Sequence, residues 1–223
     1  MVYILSIETA TTNCSVSLSV NGRTILLKED YDKNYSHAER LHVYIDDILK
    51  ETNVNRKKLN AIAISKGPGS YTGLRIGVSA AKGLCYALDL PLISIPTLES
   101  LSHQVKEQNG VIVPMLDARR QEVYSAVFDT QHCQIRDTQA QIIDYDAFGK
   151  YLKEDKVYFI GNGVEKTMTH INHPNAVFIK GKLPSANDMG ALAYNKFKIN
   201  EFENVAYFEP YYLKDFIAIK PKL

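Results

Sequence analysis

The sequence predicts an α/β protein of two similar lobes, each with a mixed five-stranded sheet and flanking helices. Three observations lead to this prediction. The predicted strands and helices occur in the same order in both halves of the chain. An acidic residue ends the first strand of each half, Glu8 and Asp117, and a Gly-x-Gly follows the fourth, at 67–69 and 161–163. A polar segment at 105–110 separates the halves. Each half contains both strands and helices, as an α/β lobe does.

Strands in the first half are predicted from runs rich in β-branched and aliphatic residues. Asn21-Gly22 separates two of these runs and is the strongest short hairpin signal. Ser36, with a glutamate three positions on, forms a capping box that begins a helix over 36–51. A second helix follows the glycines over 72–88. The strands are predicted at 2–7, 15–20, 24–29, 60–65 and 90–95.

The second half contains the same elements with shorter helices. Asp144 is predicted to cap a short helix that contains Leu152. A helix over 164–171 follows the second Gly-x-Gly, and the last helix covers 185–198 with an apolar face. The strands are predicted at 111–116, 122–128, 133–137, 157–161 and 176–180.

This order of elements is that of a ribonuclease-H-like lobe, and a facing pair of such lobes is the arrangement of actin and sugar kinases (the ASKHA fold). Such folds bind ligands in the cleft between the lobes, near the strand ends. We expect the first lobe to cover 1–105 and the smaller second lobe to cover 106–223. The final helix or tail, about 185–223, is expected to pack back on the first lobe. The fold class by itself assigns no activity.

Composition and charge argue against several classes of protein. Lys plus Arg is 26 and Asp plus Glu is 25, so the net charge of +1 provides no strong attraction to nucleic acid. The three cysteines are widely spaced and form no CxxC pair, which favours reduced thiols over a disulfide framework or a zinc site. No basic region precedes the first apolar run, and no run reaches the ~20 apolar residues that span a membrane. These features predict a cytoplasmic protein without a membrane segment.

The stretch "KGPGSYTGLRIGVSAAKGL" at 66–84 has the composition of a phosphate-binding loop followed by a helix. It lacks the lysine of a Walker loop, and its GxGxxxG spacing differs from the dinucleotide pattern. One interpretation is an anion held by loop N–H groups and the helix N terminus. The alternative is a tight strand-to-helix turn capped by Ser70 or Thr72. Small residues in the helix, Gly77 among them, favour close packing against another backbone.

A vestigial nucleotide-binding site is predicted at Glu8, Gly67, Gly69, Ser70 and Asp117. The two acids are expected to face the cleft from opposite lobes, where active proteins of this fold hold a metal–nucleotide or orient a water. The alternative is that both accept hydrogen bonds from N–H groups of their own turns. His37 and His42 are five apart, a spacing that does not suit a metal-binding pair on one helix. His170 and His173 lie at a predicted helix end and have no paired carboxylate.

Two helices, 36–51 and 72–88, carry more apolar and small residues than a single face needs. One face of each must cover its own sheet, and the surplus is expected to pair with matching helices of another subunit. Gly77→Leu would then weaken partner binding and leave the lobe folded. The alternative is packing within the lobe alone. The predicted interface residues are Leu41, Tyr44, Ile45, Ile48, Leu74, Gly77, Val78 and Ala81.

Several segments resemble one protein family along nearly the whole chain. The most specific is "SKGPGSYTGLRIGVSAAKGLCYALDLPLISIPTLESL" at 65–101. Supporting segments are "LSIETATTNCSVSL" (5–18), "SHAERL" (36–41), "LDARRQEVYSAVF" (116–128) and "PYYL" (210–213). Together they resemble the TsaB (YeaZ) family and, more distantly, its catalytic relative TsaD. Several relatives carry Asp where this chain has Glu8.

The resemblance implies a role in forming N6-threonylcarbamoyladenosine beside the anticodon of certain tRNAs. TsaD-like proteins transfer the threonylcarbamoyl group and hold a metal with an HxxxH pair, and the matching positions here are Thr97 and Leu101. Neither side chain replaces a metal-bound imidazole. The resemblance therefore implies a non-catalytic paralogue without a cofactor of its own, apart from a weak or shared nucleotide at a partner interface.

The same resemblance implies the partners of the protein. They are a TsaD-like transferase, a TsaE-like ATPase that docks on the pair, a second copy in a homodimer, and tRNA reached indirectly through the complex. Two other functions stay open, a stand-alone ATP-dependent transferase and a metal-dependent peptidase of the same fold. Metal analysis and ATP turnover of the isolated protein distinguish these functions.

Overall fold

The computed structural model describes residues 1–30 and 37–214. The predicted capping residue Ser36 therefore lies outside the described residues. The helix that it was expected to begin is present as α1, His37–Glu51.

The first sheet contains β1 (Tyr3–Glu8), β2 (Cys14–Val20), β3 (Arg23–Asp30), β4 (Ala61–Gly67) and β5 (Leu92–Pro96). The strands lie in the order β3-β2-β1-β4-β5. β1 pairs antiparallel with β2, and β2 with β3, while β4 is parallel to both β1 and β5. Asn21 and Gly22 both have positive φ in the β2–β3 hairpin, the backbone that an Asn-Gly turn supplies.

The second sheet contains β6 (Val111–Asp117), β7 (Glu122–Phe128), β8 (Gln134–Ile142), β9 (Val157–Ile160) and β10 (Ala176–Ile179). Their order, β10-β9-β6-β7-β8, is the order of the first sheet read from its other edge. The antiparallel pairs β6–β7 and β7–β8 and the parallel pairs β6–β9 and β9–β10 also match. The predicted repeat of two mixed five-stranded sheets is therefore confirmed.

The two long helices of the first half lie within one residue of their predicted bounds, whereas the last two helices are shorter than predicted. The other helices are α2 (Tyr71–Leu88), α3 (Thr97–Ser102), α4 (Gly149–Glu154), α5 (Val164–Met168) and α6 (Gly190–Lys198), with 3-10 turns at Arg56–Lys58 and Ala186–Met189. α3 was not predicted from the sequence, and the last predicted helix begins as the second 3-10 turn, with Ser185 as its N-cap.

The predicted Asp144 cap of α4 is wrong. Phe148 precedes the helix in the left-handed conformation, with φ 63°, and makes no side-chain cap. Asp144 instead accepts a hydrogen bond from the N–H of Asp146 at 3.1 Å, which is a local turn within the preceding loop. Asp and Asn favour such turns as readily as helix caps, so the residue type alone does not choose between them.

The first sheet is covered on both faces. α1 and α2 pack on one face in a core that includes Leu41, Ile48 and Val78. Ala186, Met189 and Ala193, from the last 3-10 turn and α6, pack on the other face. The chain after the second sheet therefore returns to the first sheet.

The short helix α3 joins the two sheets. Leu98 and Leu101 of α3 lie in a core cluster with Ile112, Leu116 and Ile160 of the second sheet. α3 follows directly on β5 of the first sheet and precedes β6 of the second, so along the chain it lies between the two Gly-x-Gly segments. Within the described part of the chain, no helix has the length and hydropathy needed to cross a lipid bilayer.

Candidate functional site

The first glycine loop uses its N–H groups within the chain. The N–H of Gly67 donates to Thr97 Oγ1 at 3.1 Å, and the N–H of Ser70 donates to the Ala10 carbonyl at 2.7 Å. The N–H of Gly73 donates to Ser70 Oγ at 3.3 Å, which makes Ser70 the N-cap of α2. An anion cradle needs N–H groups that point at the ligand, and these three are already paired. The geometry favours the tight-turn interpretation over the phosphate-loop one.

The glycines of this segment pack against the turn after β1. A Cβ placed on Gly69 would lie 2.5 Å from the Ala10 carbonyl oxygen, and one on Gly73 would lie 2.2 Å from the Thr9 carbonyl oxygen. A Cβ on Gly77 would lie 2.2 Å from Thr9 Oγ1. Gly73 and Gly77 are four apart on α2 and share a helix face, and Gly69 lies in the loop just before it, so the three glycines present one bare backbone stripe to this turn. The stripe therefore holds the protein's own first turn.

His37 completes this packing, a role that was not predicted from the sequence. Its imidazole Nε2 lies 2.7 Å from the Thr11 carbonyl oxygen, and the ring is almost wholly buried. Burial lowers the pKa of His37, which favours the neutral imidazole with Nε2 as donor. The ring ties the start of α1 to the same turn that α2 contacts. The signal available in the sequence was a histidine at the predicted helix start in the "SHAERL" segment.

Glu8 is fully buried at the end of β1. Its Oε1 accepts hydrogen bonds from the N–H of Ala10 at 2.6 Å and from Ser65 Oγ at 2.8 Å. Burial raises the pKa of Glu8 to about 7, and these two hydrogen bonds only partly oppose the shift. The carboxyl group of Glu8 is thus bonded to its own turn and to β4, and it has no exposed surface.

Asp117 has the equivalent position in the second lobe and a different environment. It is exposed, accepts from the N–H of Arg119 at 2.8 Å, and pairs with Lys166 of α5. The N–H of Asp117 donates to Asn162 Oδ1 at 2.9 Å. All of these contacts lie within the second lobe. No hydrogen bond or ion pair found among the described residues joins Asp117 to Glu8, and a nucleotide site at these positions stays a prediction.

Thr97 and Leu101 connect the two glycine segments. Thr97 Oγ1 accepts the N–H of Gly67 at 3.1 Å in the first lobe. Leu101 Cδ2 lies 2.9 Å from a Cβ placed on Gly161 in the second lobe, where φ is +114°. The two side chains are four apart on α3 and are both buried. In residues 1–30 and 37–214, no group of three or more His, Cys, Asp or Glu side chains is arranged to hold a metal ion.

Seven of the eight predicted interface residues on α1 and α2 face inward, and the prediction is wrong for those seven. They are buried between the helices and the first sheet, so a partner cannot reach them. Tyr44 is half-buried, and its hydroxyl donates to Asp30 Oδ2 at 2.9 Å. The seven buried residues are Leu41, Ile45, Ile48, Leu74, Gly77, Val78 and Ala81.

A different stripe of the same two helices is accessible. It forms an open groove in which small residues of α2 leave room between the helices. A Cβ placed on Gly83 meets no atom within 4 Å, in contrast to the three glycines that face the first turn. The groove, which we call the α1–α2 groove, is lined by Ala38, His42, Arg75, Ile76, Ser79, Ala80, Gly83 and Leu84.

Two lobes of identical strand order, joined by a helix between their glycine segments, define an actin-like protein of the ASKHA class. A family model described as TsaD, tRNA N6-adenosine threonylcarbamoyltransferase, matches residues 32–219. The tRNA threonylcarbamoyladenosine biosynthesis protein TsaB of Escherichia coli (strain K12) is 30% identical over 230 residues, covering 97% of this chain and 96% of that protein. The chain belongs to the TsaB (YeaZ) family, within the wider group of TsaD-like proteins.

A solved structure and a transferase extend the comparison. YeaZ from Pseudomonas aeruginosa superposes with a TM-score of 0.80 at 26% identity, covering 96% of this chain and 100% of that one. The tRNA N6-adenosine threonylcarbamoyltransferase of Staphylococcus aureus (strain JH9) is 37% identical over 109 residues, but the match covers 42% of this chain and 32% of the transferase. The full-length similarity is therefore to TsaB, and the similarity to the transferase is partial.

Proposed function

We propose that this protein is a non-catalytic subunit that binds a TsaD-like threonylcarbamoyl transferase and supports its activity. Membership of the TsaB family supports involvement in tRNA threonylcarbamoyladenosine biosynthesis. The non-catalytic role is argued from the contacts of Thr97 and Leu101. These residues stand where the transferase resemblance places metal-binding histidines, and here they tie the two glycine segments together.

The docking surface in this proposal is the α1–α2 groove. Helices pack by inserting ridges of side chains into grooves, and small residues let the backbones approach closely. Ala80 and Gly83 supply such a groove on an exposed face, while the neighbouring apolar stripe is used by the lobe's own core. The occupant is a matching helix pair of a like-folded subunit, the transferase in the working complex and a second copy in a homodimer.

The remaining partners follow from this assembly. A TsaE-like ATPase docks on the pair, and tRNA reaches the protein indirectly through the complex. The isolated chain binds no cofactor tightly, and any nucleotide is weak or shared with the partner. The low net charge of +1 supports an indirect contact with tRNA.

Gly83→Arg is expected to weaken binding of the transferase subunit by at least about tenfold, because a long charged side chain would fill the α1–α2 groove. The lobe should stay folded, since a Cβ at this position has open space around it. The measurement is co-purification with a co-expressed TsaD-like protein, followed by sizing and a tRNA modification assay.

Tyr145→Arg is the matched control for this experiment. Tyr145 is 88% exposed on the second lobe, so the variant adds the same charge away from the groove. It should keep full binding and modification activity. If Gly83→Arg binds the transferase as well as Tyr145→Arg does, the groove is not the docking surface.

Isolated protein is expected to show no robust ATP turnover and no stoichiometric metal on elemental analysis. The expectation rests on the absence of imidazoles at positions 97 and 101 and on the paired N–H groups of the glycine loop. Robust turnover would favour a stand-alone ATP-dependent transferase. A bound metal with peptide hydrolysis would favour a peptidase, and either result would overturn the non-catalytic proposal.

A further inference from the structure

The described end of the chain, residues 203–214, runs across the first lobe, and we call it the strap. The N–H of Glu203 donates to the Leu92 carbonyl at 2.8 Å, and Ser94 Oγ donates to Glu203 Oε1 at 2.5 Å. Lys82 Nζ of α2 donates to the carbonyls of Ala206 at 3.1 Å and Phe208 at 3.0 Å. The strap therefore begins on the edge strand β5 and continues beside α2.

The next part of the strap lies on the glycine loop. The N–H of Tyr211 donates to the Lys66 carbonyl at 2.7 Å. The Tyr211 carbonyl oxygen lies 2.7 Å from a Cβ placed on Gly67, whose φ is +109°, so the strap occupies the space that a side chain would need. The ring of Tyr212 contacts the ring of Tyr71 at a centroid distance of 4.9 Å. The strap thus covers one side of the loop.

The end of the strap reaches the second lobe. Lys214 forms an ion pair with Glu122 at the start of β7, and its Nζ lies 5.9 Å from the centroid of the Tyr124 ring. The side chains of Lys214 and Glu122 are 38% and 30% exposed. Ion pairs with this degree of solvent contact are weak and are screened by salt. This contact is the point at which the strap crosses from one lobe to the other.

We propose that the strap is a self-docked cover over the glycine loop and that the Lys214–Glu122 pair is its releasable latch. With the latch closed, one segment holds β5, the glycine loop and β7 together, which limits movement between the lobes. A charged group that competes for Glu122 or Lys214 opens the latch, and the strap then lifts from the Lys66 carbonyl. The device is independent of the transferase-binding role, because its contacts lie outside the α1–α2 groove.

Amide hydrogen exchange in the full-length protein tests the latch. Lys214→Glu and Glu122→Lys should each speed exchange of the Tyr211 N–H by about fivefold, the scale of one partly exposed ion pair. The double variant Lys214→Glu with Glu122→Lys restores the opposite charges and should return exchange to the wild-type rate. Lys196→Glu removes the pair between Lys196 and Glu201, which does not reach the second lobe, and should have no effect.

Two further measurements keep the proposal falsifiable if a variant folds poorly. Raising NaCl from 0.1 M to 1 M should speed Tyr211 exchange in the wild-type protein, because screening weakens the pair. A spin label on exposed Cys133 and one on Val43→Cys should report a broader distance distribution in Lys214→Glu and a wild-type one in the charge-swapped variant. Exchange that is unchanged by salt and by both charge reversals would overturn the latch.

Discussion

Gly73→Ala is expected to lower the free energy of unfolding by about 3 kcal/mol, the upper end of the usual cost of overpacking a core. The new Cβ would lie 2.2 Å from the Thr9 carbonyl oxygen, which belongs to the backbone and cannot rotate away. Either α2 must move off the first turn or the turn must rearrange, and Glu8 and His37 are both bonded to that turn. The measurement is urea unfolding followed by circular dichroism.

Gly83→Ala is the matched control because it makes the same change in the same helix. No atom lies within 4 Å of its Cβ, so the variant should gain about 0.5–1 kcal/mol from the higher helix propensity of alanine. Opposite signs at the two positions are the expected result. Equal effects would mean that the first turn does not require a bare backbone at Gly73.

The same packing changes the expectation for Gly77→Leu. From the sequence, this variant was expected to weaken partner binding while leaving the lobe folded. The structure places Thr9 Oγ1 at 2.2 Å and Ile64 Cδ1 at 3.0 Å from a Cβ on Gly77, so a leucine would destabilise the lobe itself. Loss of partner binding by this variant would then report unfolding, and for that reason Gly83 is the position to substitute.

Glu8→Gln is expected to remove a pH-dependent loss of stability of up to about 3 kcal/mol. Burial raises the pKa of Glu8 from its ordinary value of 4.5 to about 7 in the folded protein. A raised carboxyl pKa means that the folded state holds the proton more tightly than the unfolded state. The stabilisation is therefore complete below about pH 4.5 and is lost as the pH rises through 7. Glutamine carries no proton to lose and should show no such change at this site.

Urea unfolding of wild type and Glu8→Gln at pH 5 and pH 8 measures this difference. Glu8→Gln should be the more stable of the two at pH 8, with the gap narrowing at pH 5. Ser65→Ala provides a check in the opposite direction, because the Ser65 hydrogen bond lowers the pKa of Glu8. Its removal should extend the loss to higher pH. If the gap between wild type and Glu8→Gln is the same at both pH values, Glu8 titrates as an ordinary solvated carboxylate.

Prediction from the sequence was most successful where the signal is local and periodic. The strands, the Asn21-Gly22 hairpin and the glycine-rich helix each follow from a pattern of a few neighbouring residues. It failed for α3, a six-residue helix whose stability comes from Leu98 and Leu101 packing on the second sheet. Short helices have little intrinsic stability, so only the tertiary contacts show that this one forms.

The candidate site was also predicted only in part: the sequence indicated which residues belong to it but not how each of them is surrounded. Residue types and spacing led to Glu8, the glycine loop, Ser70 and the absence of histidines at positions 97 and 101. They did not show that Glu8 is buried while Asp117 is exposed, because both acids end an equivalent strand in equivalent lobes. The difference arises from the elements packed over each strand end, which no local pattern reports.

The sequence by itself determined the two-lobe α/β architecture, the family and the positions of both glycine segments. The tertiary structure decided which stripe of α1 and α2 is core and which is the exposed groove, because both stripes have helical spacing and apolar or small residues. It also decided what the bare stripe of Gly69, Gly73 and Gly77 contacts. A missing side chain permits close approach by a phosphate, a partner or the chain's own backbone, and only the fold brings the Thr9–Ala10 turn to that place.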